Sequence, residues 1–275
     1  MSLFINTNSE AMIAQNNLAQ TEQALSTATT DLSSGLRINT AADDAAGYSI
    51  VADLTGQVNG LNQASSNAQD AVSLVQTADG GLNDVQQVLQ RVRELAVEFN
   101  GGTLNTQDQN AIISEIGQLG SEIGDIQTQS QFNGISLFNQ SAGATLTFQV
   151  GANDGDTISV GLTNLSSITT GVNALTTTTA LGSSTVLSTI DTLINSVSSS
   201  ASQLGAVQNR LSYTLNNLST YSENLSSAQS TIQDVDMASE TAEFTKQNIL
   251  EQSGISMLSQ AEQAPQQVLK LIQNL

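Results

Sequence analysis

The side chains able to do chemistry in this chain are almost all carboxylates. Asp43-Asp44, Asp234 with Asp236, and Asp154-Gly155-Asp156 stand close together, and Arg91 with Arg93 makes up two of the six basic residues. Paired carboxylates can share a proton in acid–base catalysis or hold a cation. Here each pair has a plainer reading. Asp154-Gly155-Asp156 lacks the further ligands and closing glutamate of a calcium loop, so a hairpin turn is expected. Asp43-Asp44 and Asp234/Asp236 are expected to cap helices and to oppose the helix dipole from the first turn. Arg91 lies near Glu94 and shares a helical face with Leu95, the pattern of a charged edge beside an apolar seam. The chain has no histidine and no cysteine. That removes imidazole bases, thiolate nucleophiles and Cys/His zinc sites. No phosphate-cradling Gly-Lys loop occurs either. The expectation is a protein that is not an enzyme and uses no cofactor.

Composition points the same way. Aromatic residues are 3% of the chain, tryptophan is absent and there is one proline. Without large rings to anchor a compact core, burial must come from many small contacts over a long length, which favours extended helical packing. Six Lys+Arg against 25 Asp+Glu give a formal charge of −19. Nucleic acid and anionic membrane surfaces are therefore disfavoured partners. No apolar run approaches the length of a membrane span. The opening residues lack the charged and apolar regions of a cleaved secretory leader, so any export is expected by another route.

The elements are legible from spacing. Apolar residues in alternating steps of three and four make the seam of a coiled coil. One seam runs Phe4, Thr7, Ala11, Ala14, Leu18, Thr21, Leu25, Ala28, Leu32. A second runs from Leu61 through Val75, Leu82, Leu89 and Val92 to Phe99, keeping phase across Gly80-Gly81, so a single helix is expected there. Ile112, Ile116, Leu119, Ile123 and Ile126 mark a third helix after Gly101-Gly102. Ile190 to Ile232 repeats the heptad with polar interruptions, and the tail gives Leu250, Gly254, Met257, Ala261, Ala264, Val268, Leu271 and Leu275. Pro265 lies inside that last run, where a helix could bend.

Residues 140–185 differ. Leu146, Phe148 and Val150 alternate, as do Ile158, Val160 and Leu162, which predicts a β-hairpin turning over Gly151 to Asp156. The Ser/Thr-rich stretch that follows, including Thr176 to Thr179, reads as loop or linker. The expected fold is mainly α: a long antiparallel coiled-coil-like helical rod from the N- and C-terminal halves, with a small β-hairpin insert.

Several segments, in this order, resemble the bacterial flagellin family. They are INTNSEAMIAQNNL (residues 5–18), LSSGLRINTAADDAAGYSIVADL (32–54), QRVRELAV (90–97), QFNGISLF (131–138), FQVGANDGDTI (148–158), DVDMASETAEFTKQNILEQSG (234–254) and QAPQQVLKLIQNL (263–275). The resemblance implies a structural subunit that self-assembles into the extracellular flagellar filament for motility. It implies an inner coiled-coil filament-core domain near 1–44 plus 235–275, and an outer helical domain over 45–234 that includes the 140–185 insert. The insert is short, so the extra outer domains of larger flagellins are expected to be missing. Filament-core packing is then expected at Leu18, Leu25, Leu32, Leu250, Met257, Val268, Leu271 and Leu275.

The resemblance also implies partners. These are other copies of the chain, an export chaperone on the C-terminal helix, the hook–filament junction and cap proteins, and a flagellin-sensing Toll-like receptor in hosts. It marks Gln90, Arg91 and Leu95, with Glu115 on the next helix, as a surface for assembly and receptor binding. The terminal seams are rich in Ala, Thr and Gly and bury little apolar surface alone. Both ends are therefore expected to be largely disordered in the monomer and to fold when neighbours cover them. A hook–filament junction protein and a secreted helical adhesin or binding rod are the alternatives; truncating 235–275 would leave a rod binding but stop a filament protein polymerising.

Overall fold

The computed structural model describes residues 7–141 and 143–273, with side-chain surroundings through Gln263. It is mainly helical, as the seams predict. The chain forms α1 (Ser9–Ser34), α2 (Ala45–Phe99), α3 (Thr106–Gln129), β1 (Gln131–Phe132), β2 (Ile135–Ser136), β3 (Thr145–Gln149), β4 (Thr157–Gly161), α4 (Ser166–Asn173), α5 (Thr178–Leu181), α6 (Val186–Gln233) and α7 (Met237–Gln273). It divides into two compact units, one of residues 1–56 and 224–275, the other of residues 57–223. The sequence expectation placed the division at 44/45 and 234/235. Residues 45–56 of α2 and 224–233 of α6 group with α1 and α7.

The unit of residues 57–223 holds the large core. Every seam position of α2 from Leu61 to Phe99 is buried. α3 covers one side with Ile112, Ile116 and Ile123, and α6 covers another with Ile190, Val197, Leu204 and Leu211. α2 and α6 run antiparallel, since Arg93 reaches Asp191 and Gln86 reaches Ser198. The glycine pair does not break α2. Gly81 has a packing reason: a Cβ there would lie 2.6 Å from Phe138 Cε2, so only glycine admits that fully buried ring.

The insert forms the expected hairpin, with Leu146 opposite Val160 and Phe148 opposite Ile158. Asp154-Gly155-Asp156 is its turn, with Gly155 at φ 91° and the Asp156 carboxylate accepting from the Asn153 N–H at 3.3 Å. The stretch after it differs from the loop expectation. It folds into α4 and α5, because Leu165, Ile168, Val172 and Leu175 recur at helical spacing and bury against the core. Their Ser/Thr neighbours mask that period in composition. Gln127, the buried polar residue here, donates to Ser166 Oγ at 2.8 Å and accepts from Thr169 Oγ1 at 3.0 Å.

The other unit is built on α1 and α7, which pair antiparallel. Asn8 Nδ2 donates to the Ala261 carbonyl at 2.8 Å, and a Cβ on Gly254 would sit 3.3 Å from Leu18 Cδ1. At the opposite end the chain is clasped. Gly35 terminates α1 in the left-handed conformation (φ 74°), Leu36 bridges Asp234, and the Val235 N–H donates to the Gly35 carbonyl at 3.1 Å. Arg37 adds its own N–H to Gln233 O and its guanidinium to Ile232 O, each at 2.6 Å.

Candidate assembly surfaces

The acidic pairs do structural work. Asp44 Oδ1 accepts from the N–H groups of Ala46 and Gly47, and Asp236 Oδ1 accepts from Ala238 and Ser239, so each caps the helix that follows. The Asp43 carboxylate takes the N–H groups of Thr40 and Asn39, at 2.8 and 3.1 Å, and these hold its pKa below the usual value. Asp234 accepts from Ser230 and pairs with Leu36 through the backbone. Among the described residues no group of His, Cys, Asp or Glu is placed to hold a metal ion.

The terminal helical pair presents an uncovered apolar face. The seam of α1 turns inward as expected, with Leu18, Leu25 and Leu32 half-buried and Ala28 buried. Ala28 is the one fully buried residue of the 26 in α1, so among the described side chains the pair has almost no core of its own. On α7 the covered stripe is Phe244, Gln247, Glu251, Gly254, Leu258 and Ala261. The sequence seam is therefore corrected. It shares Gly254 and Ala261 with the covered stripe, but Leu250 and Met257 flank it and stay 45% and 60% exposed. α7 thus carries a mixed stripe covered by α1 and, beside it, an apolar one with Leu250 and Met257 that α1 leaves open. The second stripe and α1 enclose a groove of about 700 Å³, lined by Ile13, Ala14, Leu18, Leu250, Met257 and Ala261 among others. Met12, Ile249 and Ile255 are exposed as well. Val268, Leu271 and Leu275 lie outside the described side chains.

A second surface lies on the unit of residues 57–223, at the α2–α3 edge. Arg91 Nε donates to Glu115 Oε1 at 2.9 Å and Arg91 Nη1 to Glu94 Oε2 at 3.2 Å. The Glu115 hydrogen bond, then that of Glu94, raises the pKa of a guanidinium already charged at all working pH values. Arg93 is held separately by Asp191 at 2.7 Å. The structure thus brings Arg91 and Glu115 together, with Gln90 exposed beside them. It does not bring Leu95 to that surface. Leu95 is 1% exposed and belongs to the core, because α2 is covered on two sides and its buried arc is wider than the heptad seam. The ion pair across the helices could be anticipated; the burial of Leu95 needed knowledge of which helix covers that side.

Long helices, a small hairpin and a terminal helical pair with an uncovered apolar face define a mainly helical protein. Comparison with known proteins gives the particular kind. A family model for the bacterial flagellin N-terminal helical region matches residues 5–143, and one for the C-terminal helical region matches residues 187–272. The chain is 45% identical over 272 residues to a flagellin of Halalkalibacterium halodurans, covering 98% of this chain and 100% of that one. It is 47% identical over 191 residues to a Salmonella muenchen flagellin, of which it spans 37%. The crystal structure of Bacillus cereus flagellin aligns over 56% of this chain and 88% of that one, at 31% identity and a TM-score of 0.49. The chain belongs to the bacterial flagellin family and is a structural subunit of the flagellar filament. Membership implies homopolymeric assembly outside the cell. No helix among the described residues is long and apolar enough to cross a membrane.

Proposed function

We propose that residues 1–44 and 235–275 form the filament-core domain, that 45–234 form the outer domain, and that neighbouring subunits supply the cover the terminal pair lacks. The observation that carries this reading is the groove between α1 and α7, with Leu250 and Met257 on its wall. Leu250 and Met257, 45% and 60% exposed, stand to gain about half of the ~1.5–3 kcal/mol that burying a fully exposed side chain of that size provides. A face that repeats from copy to copy without closing a ring generates a helical filament. Electron microscopy and sedimentation in polymerising salt test the assignment. Leu250→Ser with Met257→Ser should abolish filaments and leave the unit of residues 57–223 folded. Filaments of unchanged yield would remove the groove from the contact.

The finer partners extend the same reading. A marginal terminal pair suits passage through a narrow flagellar export channel and protection by a chaperone on α7, and the same helices suit docking to junction and cap proteins. The exposed patch of Gln90, Arg91 and Glu115 is the surface we assign to subunit contact and to a flagellin-sensing Toll-like receptor. Arg91→Ala should lower both polymerisation and receptor signalling, measured by sedimentation and a receptor reporter assay.

A further inference from the structure

Among the described residues, Asn133 alone of the non-glycines has a positive φ, 47°, and Gly134 follows it at 78°. Two consecutive left-handed residues make the tight turn between β1 and β2, and Asn-Gly is the pair such a turn prefers. The same pair is open to a reaction of its own. The backbone nitrogen of a glycine, with no side chain to shield it, can attack the side-chain carbonyl of the asparagine before it. Three Asn-Gly pairs occur in the chain: Asn59-Gly60, Asn100-Gly101 and Asn133-Gly134.

The fold treats the three differently. Asn59 and Gly60 lie inside the 55 residues of α2, so the Gly60 N–H is committed to the helix ladder. At Asn100 the side-chain amide donates to Ala96 O at 2.8 Å and to Leu181 O at 2.9 Å, and the Gly101 N–H donates to Glu98 O at 2.9 Å. Leaving group and nucleophile are both held there. Asn133 and Gly134 are exposed, and no hydrogen bond within the described residues engages the Asn133 amide or the Gly134 N–H. The ladder that keeps their turn closed has two residue pairs, Gln131 with Ser136 and Phe132 with Ile135. Ring closure needs a backbone torsion that neither helix nor turn supplies, so its rate follows the ease of local opening. So short a ladder opens more readily than the middle of a long, packed helix.

We propose that Asn133 is the site of spontaneous deamidation in this chain, selected over Asn59 and Asn100 by the fold. The Gly134 nitrogen bonds to Asn133 Cγ and the Cγ–Nδ2 bond breaks. The proton of Gly134 passes through water to the departing amide, which leaves as ammonia. Water then opens the succinimide at either carbonyl, leaving aspartate or isoaspartate at position 133 with no oxidant or reductant consumed. Either product adds one negative charge to a chain already at −19. The isoaspartate form also adds a methylene to the main chain of a tight loop whose length sets the strand register. Leu137 and Phe138, buried directly after β2, would carry that change to the core.

Full-length monomer aged at mildly alkaline pH, then digested and mapped by mass spectrometry with isoaspartate detection, tests the assignment. Conversion at Asn133 should run about tenfold or more ahead of Asn59 and Asn100, as expected when local opening decides the rate. In urea-unfolded protein the three pairs should convert at similar rates, since only the fold distinguishes them. Native protein in which Asn59 or Asn100 converts as fast as Asn133 would overturn the proposal. So would the same preference for Asn133 persisting in urea, which would make it a property of the local sequence.

Discussion

Arg91 and Leu95 sit one helical turn apart and have opposite fates. Arg91 is half-exposed and paired with Glu115 and Glu94, whereas Leu95 is 1% exposed. Exposed ion pairs contribute little to folding. Arg91→Ala should therefore leave the urea midpoint nearly unchanged, so that any loss of polymerisation reports the interface. Leu95→Ala should cost about 2–5 kcal/mol of stability, as other large-to-small core changes do. Its effect on any partner would be indirect, and chemical denaturation of the two variants separates the cases. Gly81→Ala sets two effects against each other. Helix propensity favours alanine by about 1 kcal/mol. The new methyl would meet Phe138 at 2.6 Å, and overpacking of that kind costs about 1–3 kcal/mol. The outcome expected is a lower urea midpoint, and a rise would show that Phe138 can yield. At this scale the sequence shows which pairs can meet, such as Arg91 with Glu94. It does not show how wide an arc of a helix its neighbours cover, and for that reason the surface that the resemblance implies includes Leu95, which the structure buries.

Among the elements, α2 is the most legible, because its seam holds phase from Leu61 to Phe99 and each of those positions is buried. The hairpin is equally plain from alternation. α4 and α5 are not, since four apolar residues at helical spacing are outnumbered by Ser and Thr. α7 is half legible: spacing finds an apolar stripe, but two stripes lie side by side and only the partner decides which is covered. The shortage of core between α1 and α7 leads to a prediction about helicity. Far-UV circular dichroism should show a gain of helix on polymerisation, contributed by these two segments. Equal helicity in monomer and filament would mean that the pair is stable without neighbours. Removing residues 235–275 should leave a cooperative unfolding transition, because the large core lies wholly within residues 57–223, while sedimentation detects no polymer.

For the whole molecule, the absence of histidine and cysteine sets the pH response. No side chain of ordinary pKa titrates between about pH 6 and pH 9. The urea midpoint should be flat across that window. Acid is different. Asp43 is held below its usual value by the N–H groups of Thr40 and Asn39, and Glu243 by Lys246 and then Gln247. A carboxylate depressed in the folded state adds stability above its unfolded pKa, and that stability is lost as pH falls through the folded value. Both residues belong to the unit of α1 and α7, so that unit should loosen first below about pH 4. Amide exchange as a function of pH would show it; simultaneous loss in both units would contradict it. The −19 charge opposes association, and 0.1 M salt cuts its reach to about 10 Å. Polymer yield should accordingly rise with ionic strength.

The clasp at Gly35–Val235 and the bond from Asn8 to Ala261 pin both ends of one antiparallel pair. Between those pins the two helices act as matched rulers, and neither can change length independently. Excising one heptad from α1 alone would slide about 10 Å of α7 beyond its partner and strand Asn8 opposite the wrong turn. Taking a heptad from both should restore the pins. Insertions and deletions in this half of the molecule are thus tolerated only in equal pairs, a constraint that the outer loops do not share.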